Sequence, residues 1–234
     1  MSIIIETSMN FCSNCGSAEL VKKIPEGDNL ERFVCNKCGH IHYQNPNIVT
    51  GVLAYTDQDE LILCKRSIEP RHGFWTLPAG FLENGESIEE GALRETMEEA
   101  KLQVSDVKLF TILSVPHINQ IYTFFTGKVV NDDFGPTPES SEVELFKFDD
   151  IPWSELAFLP ANFSYVPSKG FNEGMSNNLR SLTIKNFIPD DSLRPIDAKE
   201  VDILWKTTDD QNVYVVKSIT REPTKKRGVY GYRN

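Results

Sequence analysis

The chain has 234 residues, 40% of them apolar and 25% charged, with a formal charge of −10. That length exceeds the roughly 150-residue prior for one domain, so one main domain with a small addition or two is expected. The composition excludes a disordered or fibrous chain, no apolar run approaches the ~20 residues of a membrane-spanning helix, and the acidic charge argues against a nucleic-acid partner held by counterion release.

The N-terminal run Ile3-Ile4-Ile5 lacks the basic flank and apolar length of a secretory signal, so a cytoplasmic, reducing location is expected. Cys12 and Cys15, then nineteen residues, then Cys35 and Cys38 form a Cys-x2-Cys pair of pairs with the spacing of a four-thiolate zinc site. Gly16 and Gly39 follow the second cysteine of each pair, where a tight turn can aim backbone N–H groups at sulfur. Two disulfides are the alternative, disfavoured in a reducing compartment. His40 or His42 could replace a thiolate, but four thiolates already fill a tetrahedral shell, so the metal is read as structural. Residues 1–44 are therefore read as a small zinc ribbon. Cys64, inside an apolar run, reads as a small buried hydrophobe.

After a hinge at 44–47, residues 48–55 and 60–66 read as strands around the turn residues Thr56 to Asp59. A helix is expected from Ser87, with Glu90 completing a capping box. Further strands are expected near 107–115, 121–130 and 142–148, and a helix near 149–158. Strands with interspersed helices give an α/β or α+β fold around one sheet. Beyond residue 160 the chain changes character: 160–178 is rich in Asn, Ser, Gly and Pro, and 201–205 with 213–216 reads as a β-hairpin around Asp209 to Asn212. Residues 217–234 hold six basic side chains against Glu222, a net +5 that leaves −15 on the rest. That tail reads as a solvated one.

The helix from Ser87 carries the chemistry. At 100° per residue, Glu95, Glu98 and Glu99 share an arc of about 100°, while Ile88, Ala92, Leu93, Thr96, Met97 and Ala100 form an apolar arc for a core. Like charges at i,i+4 weaken a helix by roughly 0.2–0.5 kcal/mol per pair, so a cation is expected among them, and oxygen donors suit Mg²⁺ or Mn²⁺. Gly80, five residues, Glu86, seven residues, then Arg94-Glu95-Thr96-Met97-Glu98-Glu99-Ala100-Lys101-Leu102 resembles the Nudix box. Lys101 stands where the family usually has Gly, and Thr96 where it has a bulky aliphatic residue. Every expected carboxylate is present.

The resemblance implies an α/β/α sandwich with a mixed sheet over 45–160; residues 161–234 lie outside it and read as a C-terminal extension. The resemblance also implies hydrolysis of a nucleoside diphosphate linked to another moiety. Glu95, Glu98 and Glu99 match the metal-binding carboxylates, with the Gly80 carbonyl as a further ligand, and Arg94 with Glu86 matches a pair that ties helix to loop. The general base often comes from outside the box; among Glu139, Glu142 and Glu144, the place of Glu142 just before a strand favours it as base or extra ligand. The ribbon, Asn45-Pro46, residues 73–80 and Pro116 to Gln120 are similar to a zinc-ribbon subgroup that includes ADP-ribose and FAD pyrophosphatases. The downstream motif of NADH pyrophosphatases is absent, which favours ADP-ribose or FAD, a small dinucleotide or nucleotide-sugar substrate. Trp75 is a candidate stacking platform or core residue, and Arg66 and Arg71 are candidate phosphate contacts. The same box also serves hydrolases of NADH, capped RNA or oxidised nucleotides, and a ligand-sensing regulator that contacts nucleic acid is the non-enzymatic alternative. The family often dimerises, which leaves a homodimer open.

Overall fold

The computed structural model describes residues 9–152, 155–157, 180–189, 198–207 and 213–217. The chain divides into two units between Pro46 and Asn47.

The first unit is an antiparallel sheet of three short strands, β1 (Leu20–Lys23), β2 (Arg32–Cys35) and β3 (Ile41–His42), in that order. Its buried apolar side chains are few, chiefly Val34 beside Cys12 and Cys35. So small a core offers little to offset the entropy of ordering the segment, the usual situation of a unit stapled by a metal. Asp28 closes the β1–β2 turn: its carboxylate accepts from the Asn29 and Leu30 N–H groups and pairs with Arg32 at 2.9 Å.

The second unit is built on a mixed sheet of ten strands: β4 (Asn47–Tyr55), β5 (Glu60–Arg66), β6 (Trp75–Thr76), β7 (Ala79–Phe81), β8 (Val104–Val115), β9 (Gln120–Val129), β10 (Ser140–Lys147), β11 (Arg180–Pro189), β12 (Ala198–Thr207) and β13 (Val213–Lys217). The main order is β10-β5-β4-β9-β8-β11-β12-β13, with β6 on β5 and β7 on β4. The β4–β9 and β8–β11 pairs are parallel, and the other strand pairs are antiparallel. Central β4 is buried on both faces, which is why it reads as a nearly continuous apolar run rather than an alternating one.

One α-helix, α1 (Ile88–Ala100), is present among the described residues. It covers one face of the sheet, where Ala92 and Ala100 pack with Val52, Ala54, Ile62, Cys64 and Phe125. The opposite face holds Leu53, Leu61, Leu63, Trp75, Leu77, Phe110 and Phe124. This is a mixed α+β fold, and a second helical layer of the expected sandwich is not among the described residues. None of the described helices is long and apolar enough to cross a membrane.

The helix expected at 149–158 is not found among the described residues of that range. A single 3-10 turn runs over Phe148–Asp150, and Ile151 then takes φ −59°, ψ 127°. Pro152 explains this, because a residue before proline is pushed out of the helical region. Ile151 and Leu156 instead plug the apolar face opposite α1. The expected C-terminal hairpin forms as β12 and β13, with Ile203 opposite Val216 and Trp205 opposite Tyr214. Its turn, the segment 160–178 and the basic tail beyond Lys217 lie outside the described residues.

Candidate active site and metal centres

The ribbon brings its four cysteines together. Their sulfurs all lie within 4.8 Å of one another, with Cys12 Sγ 3.7 Å from Cys38 Sγ and Cys15 Sγ 3.6 Å from Cys35 Sγ. Four sulfurs at ~2.3 Å from a tetrahedral zinc stand about 3.8 Å apart, whereas disulfide sulfurs stand about 2.05 Å apart. The donor set and its spacing fit zinc. Gly16 and Gly39 hold the left-handed conformation that returns the chain, their N–H groups donating to the Cys12 and Cys35 carbonyls at 2.8 Å. The His40 N–H and the Asn14 amide beside Cys38 hold its thiol down at about 6.

In the second unit the candidate site is assembled from the C-terminal half of α1 and the loop that precedes the helix. Ser87 caps the helix, accepting from the Glu90 N–H, while the Glu90 carboxylate accepts from the Ser87 N–H at 2.7 Å. Thr50 on β4 donates to the Ile88 carbonyl at 2.7 Å, fixing helix to sheet. A Cβ at Gly91 would stand 2.8 Å from both Glu86 Oε1 and Leu82 Cδ1, so this glycine admits the preceding loop against the helix.

Arg94 is the hub of the loop–helix contact. It donates to Glu86 through Nε (3.0 Å) and Nη2 (2.7 Å), and to the Phe81 carbonyl through Nη2 (3.1 Å). Its Nη1 reaches Glu95 at 2.8 Å and Glu98 at 3.0 Å. The guanidinium, with the Glu83 N–H, pulls the Glu86 carboxyl down to about 2. The cation that crowded carboxylates require is therefore supplied in part by the chain itself.

Glu95 is packed so tightly against Gly80 that any Cβ there would overlap its carboxylate. Glu99 is 6% exposed and accepts from the Ala79 N–H at 3.0 Å. Burial pushes its carboxyl up to about 7 despite that bond, and the Glu95 and Glu139 charges push the same way while Arg66 opposes them. Burial raises the Glu95 carboxyl too, against the pull of Arg94. Glu98 is the most exposed of the three. Glu95 lies against the bare Gly80 backbone, Glu99 accepts from the adjoining Ala79 N–H, and Glu98 shares Arg94 with Glu95. Carboxylate oxygens are the donors a hard divalent ion takes, although among the described residues only the four cysteines already stand close enough together to hold an ion.

Other expected residues fall elsewhere. Trp75 is 5% exposed and packs edge-on against Phe146, so its ring belongs to the core and offers no stacking face to a ligand. Phe81, 53% exposed and joined to Arg94 through its carbonyl, is the exposed aromatic next to Gly80. Arg66 donates to the Pro70 carbonyl at 2.8 Å, and its charge acts on both Glu99 and Tyr122. Arg71 is buried, with φ 71°. Met97 is exposed rather than in the helix's core-facing arc.

Glu142 is not brought to the carboxylates. A register shift between Ser140, opposite Arg66, and Glu142, opposite Lys65, marks a bulge at Ser141. The bulge turns Val143 toward the α1 face with its partner Cys64, and sends Glu142 to the other face, where it pairs with Lys65 Nζ at 2.8 Å. Glu139, before the bulge, is the outside-the-box carboxylate whose charge is felt at Glu95 and Glu99. Only the alternation of faces along β10 separates the two, and an inserted residue in that alternation leaves no mark in the sequence.

Comparison with known proteins follows the same division. Residues 10–44 match the Nudix N-terminal zinc-ribbon model, and residues 45–167, more than half the chain, match the NUDIX domain. The chain belongs to the Nudix family. Among solved structures, a NUDIX hydrolase from Nitrosomonas europaea is 46% identical with a TM-score of 0.63, covering 67% of this chain and 88% of that one. Curated relatives named NAD-capped RNA hydrolase NudC are 29% identical in Enterobacter sp. (strain 638) and 27% in Escherichia coli K12, over 146 residues. The match covers 62% of this chain, which spans about half the length of those relatives. The name of these relatives includes RNA, so the expectation against a nucleic-acid partner finds no support in them.

Proposed function

We propose that the Nudix unit hydrolyses the pyrophosphate bond of a nucleoside diphosphate derivative, using Mg²⁺ or Mn²⁺ and releasing two monophosphates. The observation that carries this reading is Glu95 packed against a Gly80 backbone that no side chain can cover, with Glu99, also desolvated, held on the adjoining Ala79 N–H. Glu95, Glu98, Glu99 and the Gly80 carbonyl would hold the divalent ions. Bound there, such ions neutralise phosphate charge and lower the pKa of a water. Arg94 and Glu86 keep the loop and helix in fixed relation, so that the carboxylates need no rearrangement as charge develops. Glu139 is the outside carboxylate we place in the site, as base or further ligand. Arg66 is the candidate phosphate contact, and Phe81 replaces Trp75 as the candidate stacking surface for a base or flavin. The ribbon's zinc is structural, since four thiolates leave no open position.

Within this class the sequence favours ADP-ribose or FAD. The similarity to the NudC relatives supports a second reading, an NAD-type diphosphate either free or at the end of RNA. Intact carboxylates argue for turnover over ligand sensing, because a sensor has no need of them. The test is monophosphate release from ADP-ribose, FAD, NADH, nucleotide sugars and NAD-capped RNA with Mg²⁺ or Mn²⁺. Cleavage of ADP-ribose or FAD with the highest kcat/KM supports the first reading, and preference for NADH or capped RNA the second. Absence of cleavage across the panel with either metal overturns both.

A further inference from the structure

The segment that carries Glu139 is fastened to the end of α1. The last carbonyls of a helix lack partners within it, and α1 has no basic side chain in its last turn to cover them. The Gly135 N–H donates to the Ala100 carbonyl at 2.9 Å, and the Thr137 hydroxyl donates to the Glu99 carbonyl at 3.2 Å. The same Thr137 oxygen accepts from the Glu139 N–H at 3.3 Å and the Ser140 N–H at 3.2 Å. One hydroxyl thus bonds at once to the backbone of one box glutamate and to the backbone of the outside glutamate. On its far side the segment is held by Ser67, whose N–H donates to the Glu139 carbonyl at 2.9 Å and whose hydroxyl donates to the Pro138 carbonyl.

We propose that Thr137 is a positioning residue of the Nudix site, its hydroxyl fixing where the Glu139 carboxylate stands relative to Glu95 and Glu99. Glu139 is exposed, so its own packing does not set its place, and the backbone beneath it must. The charge of Glu139 already reaches both partners across this joint. Because valine matches threonine in shape and lacks the hydroxyl, Thr137→Val removes the three bonds with little change of volume, while Thr137→Ser keeps them. The inference rests on the metal-dependent reading above.

The test measures Mn²⁺ affinity by the spin-resonance signal of free Mn²⁺, kcat and KM on the best substrate of the panel, and the melting temperature. For Thr137→Val, Mn²⁺ affinity and kcat should each fall about tenfold, the scale of lost outer-shell support for a metal ligand, with KM little changed. Thr137→Ser should restore both to near wild type. In a Glu139→Gln background, Thr137→Val should add almost nothing, since the group it positions is already disabled. Should Thr137→Val fail to fold, Thr137→Ala takes its place in the same cycle. Wild-type Mn²⁺ affinity in Thr137→Val, or a full tenfold loss that persists beside Glu139→Gln, overturns the proposal. The two levels separate cleanly: if Glu98→Gln and Glu139→Gln also leave Mn²⁺ binding and turnover unchanged, the metal-dependent reading itself has failed.

Discussion

Two groups of ionisable side chains in this chain, the four cysteines and the glutamates of α1, are built on opposite plans. In the ribbon, four sulfurs converge within 4.8 Å, aimed inward by backbone turns at Gly16 and Gly39. On α1, the carboxylates are graded from buried Glu99 to exposed Glu98, and Arg94 spans Glu86, Glu95 and Glu98. The thiolates converge on one another and leave no face open, which suits an ion that never leaves. Of the carboxylates only Glu98 is open to solvent, and Glu95 and Glu98 share the Arg94 guanidinium, an arrangement that suits ions and phosphates that come and go. On the proposed reading, the contrast separates metal as a structural strut from metal as a working part.

That contrast can be broken by experiment. The largest effect should come from Cys35→Ser: the ribbon should lose its zinc and its resistance to proteolysis, because in so small a unit most of the roughly 10 kcal/mol of metal binding is its folding energy. Turnover should suffer far less than in the next variant. An unchanged melting curve with full zinc, by elemental analysis, would show that the thiolates are not the strut. For Glu98→Gln the pattern should reverse, with kcat down about a thousandfold and the melting temperature nearly unchanged, since an exposed ion pair with Arg94 contributes about 0–1 kcal/mol. Near wild-type kcat would remove Glu98 from the working site.

Glu99 sharpens the contrast through pH. Its carboxyl titrates at about 7 in the folded chain against an ordinary value of 4.5. Between those values the folded state keeps a proton that the unfolded state has lost, so stability of the metal-free protein should fall as pH rises from about 4.5 to about 7. The loss is at most about 3 kcal/mol. Urea midpoints in EDTA at pH 5 and pH 7.5 measure it, and Glu99→Gln should flatten the slope. A rise in stability over that interval, traced to Glu99, would contradict its burial as a desolvated ligand. The smallest effect concerns the helix exit. Lys101 holds the left-handed conformation at φ 55°, ψ 31° where the family usually has Gly. Lys101→Gly should gain about 1 kcal/mol in denaturant unfolding, with metal affinity unchanged.

Much of this was legible because it is local. The capping box depends on Ser87 and Glu90 alone, the thiolate set on spacing, and the strands at 47–55 and 60–66 on β-branched runs bounded by turn residues. The helix exit at Lys101 was legible only through the resemblance, since lysine by itself does not signal the left-handed conformation it holds. What stayed hidden depends on contacts across the sheet. Trp75 is buried because Phe146 and Leu156 meet it from distant parts of the chain. Glu139 and Glu142 differ in placement because of a bulge at Ser141 that only the register against β5 reveals. Pro152 did carry a local signal against the helix at 149–158, in its hold on Ile151.

The parallel pairing of β11 with residues Thr111 to Ser114 of β8 has a practical consequence. A truncated version ending near residue 157 would strip that neighbour from a twelve-residue strand, leaving a row of bare amides and carbonyls ready to recruit another molecule. Shortening the protein for crystallisation to little more than the portion that matches the family would thus invite clumping, and trimming ought to begin beyond β13 instead.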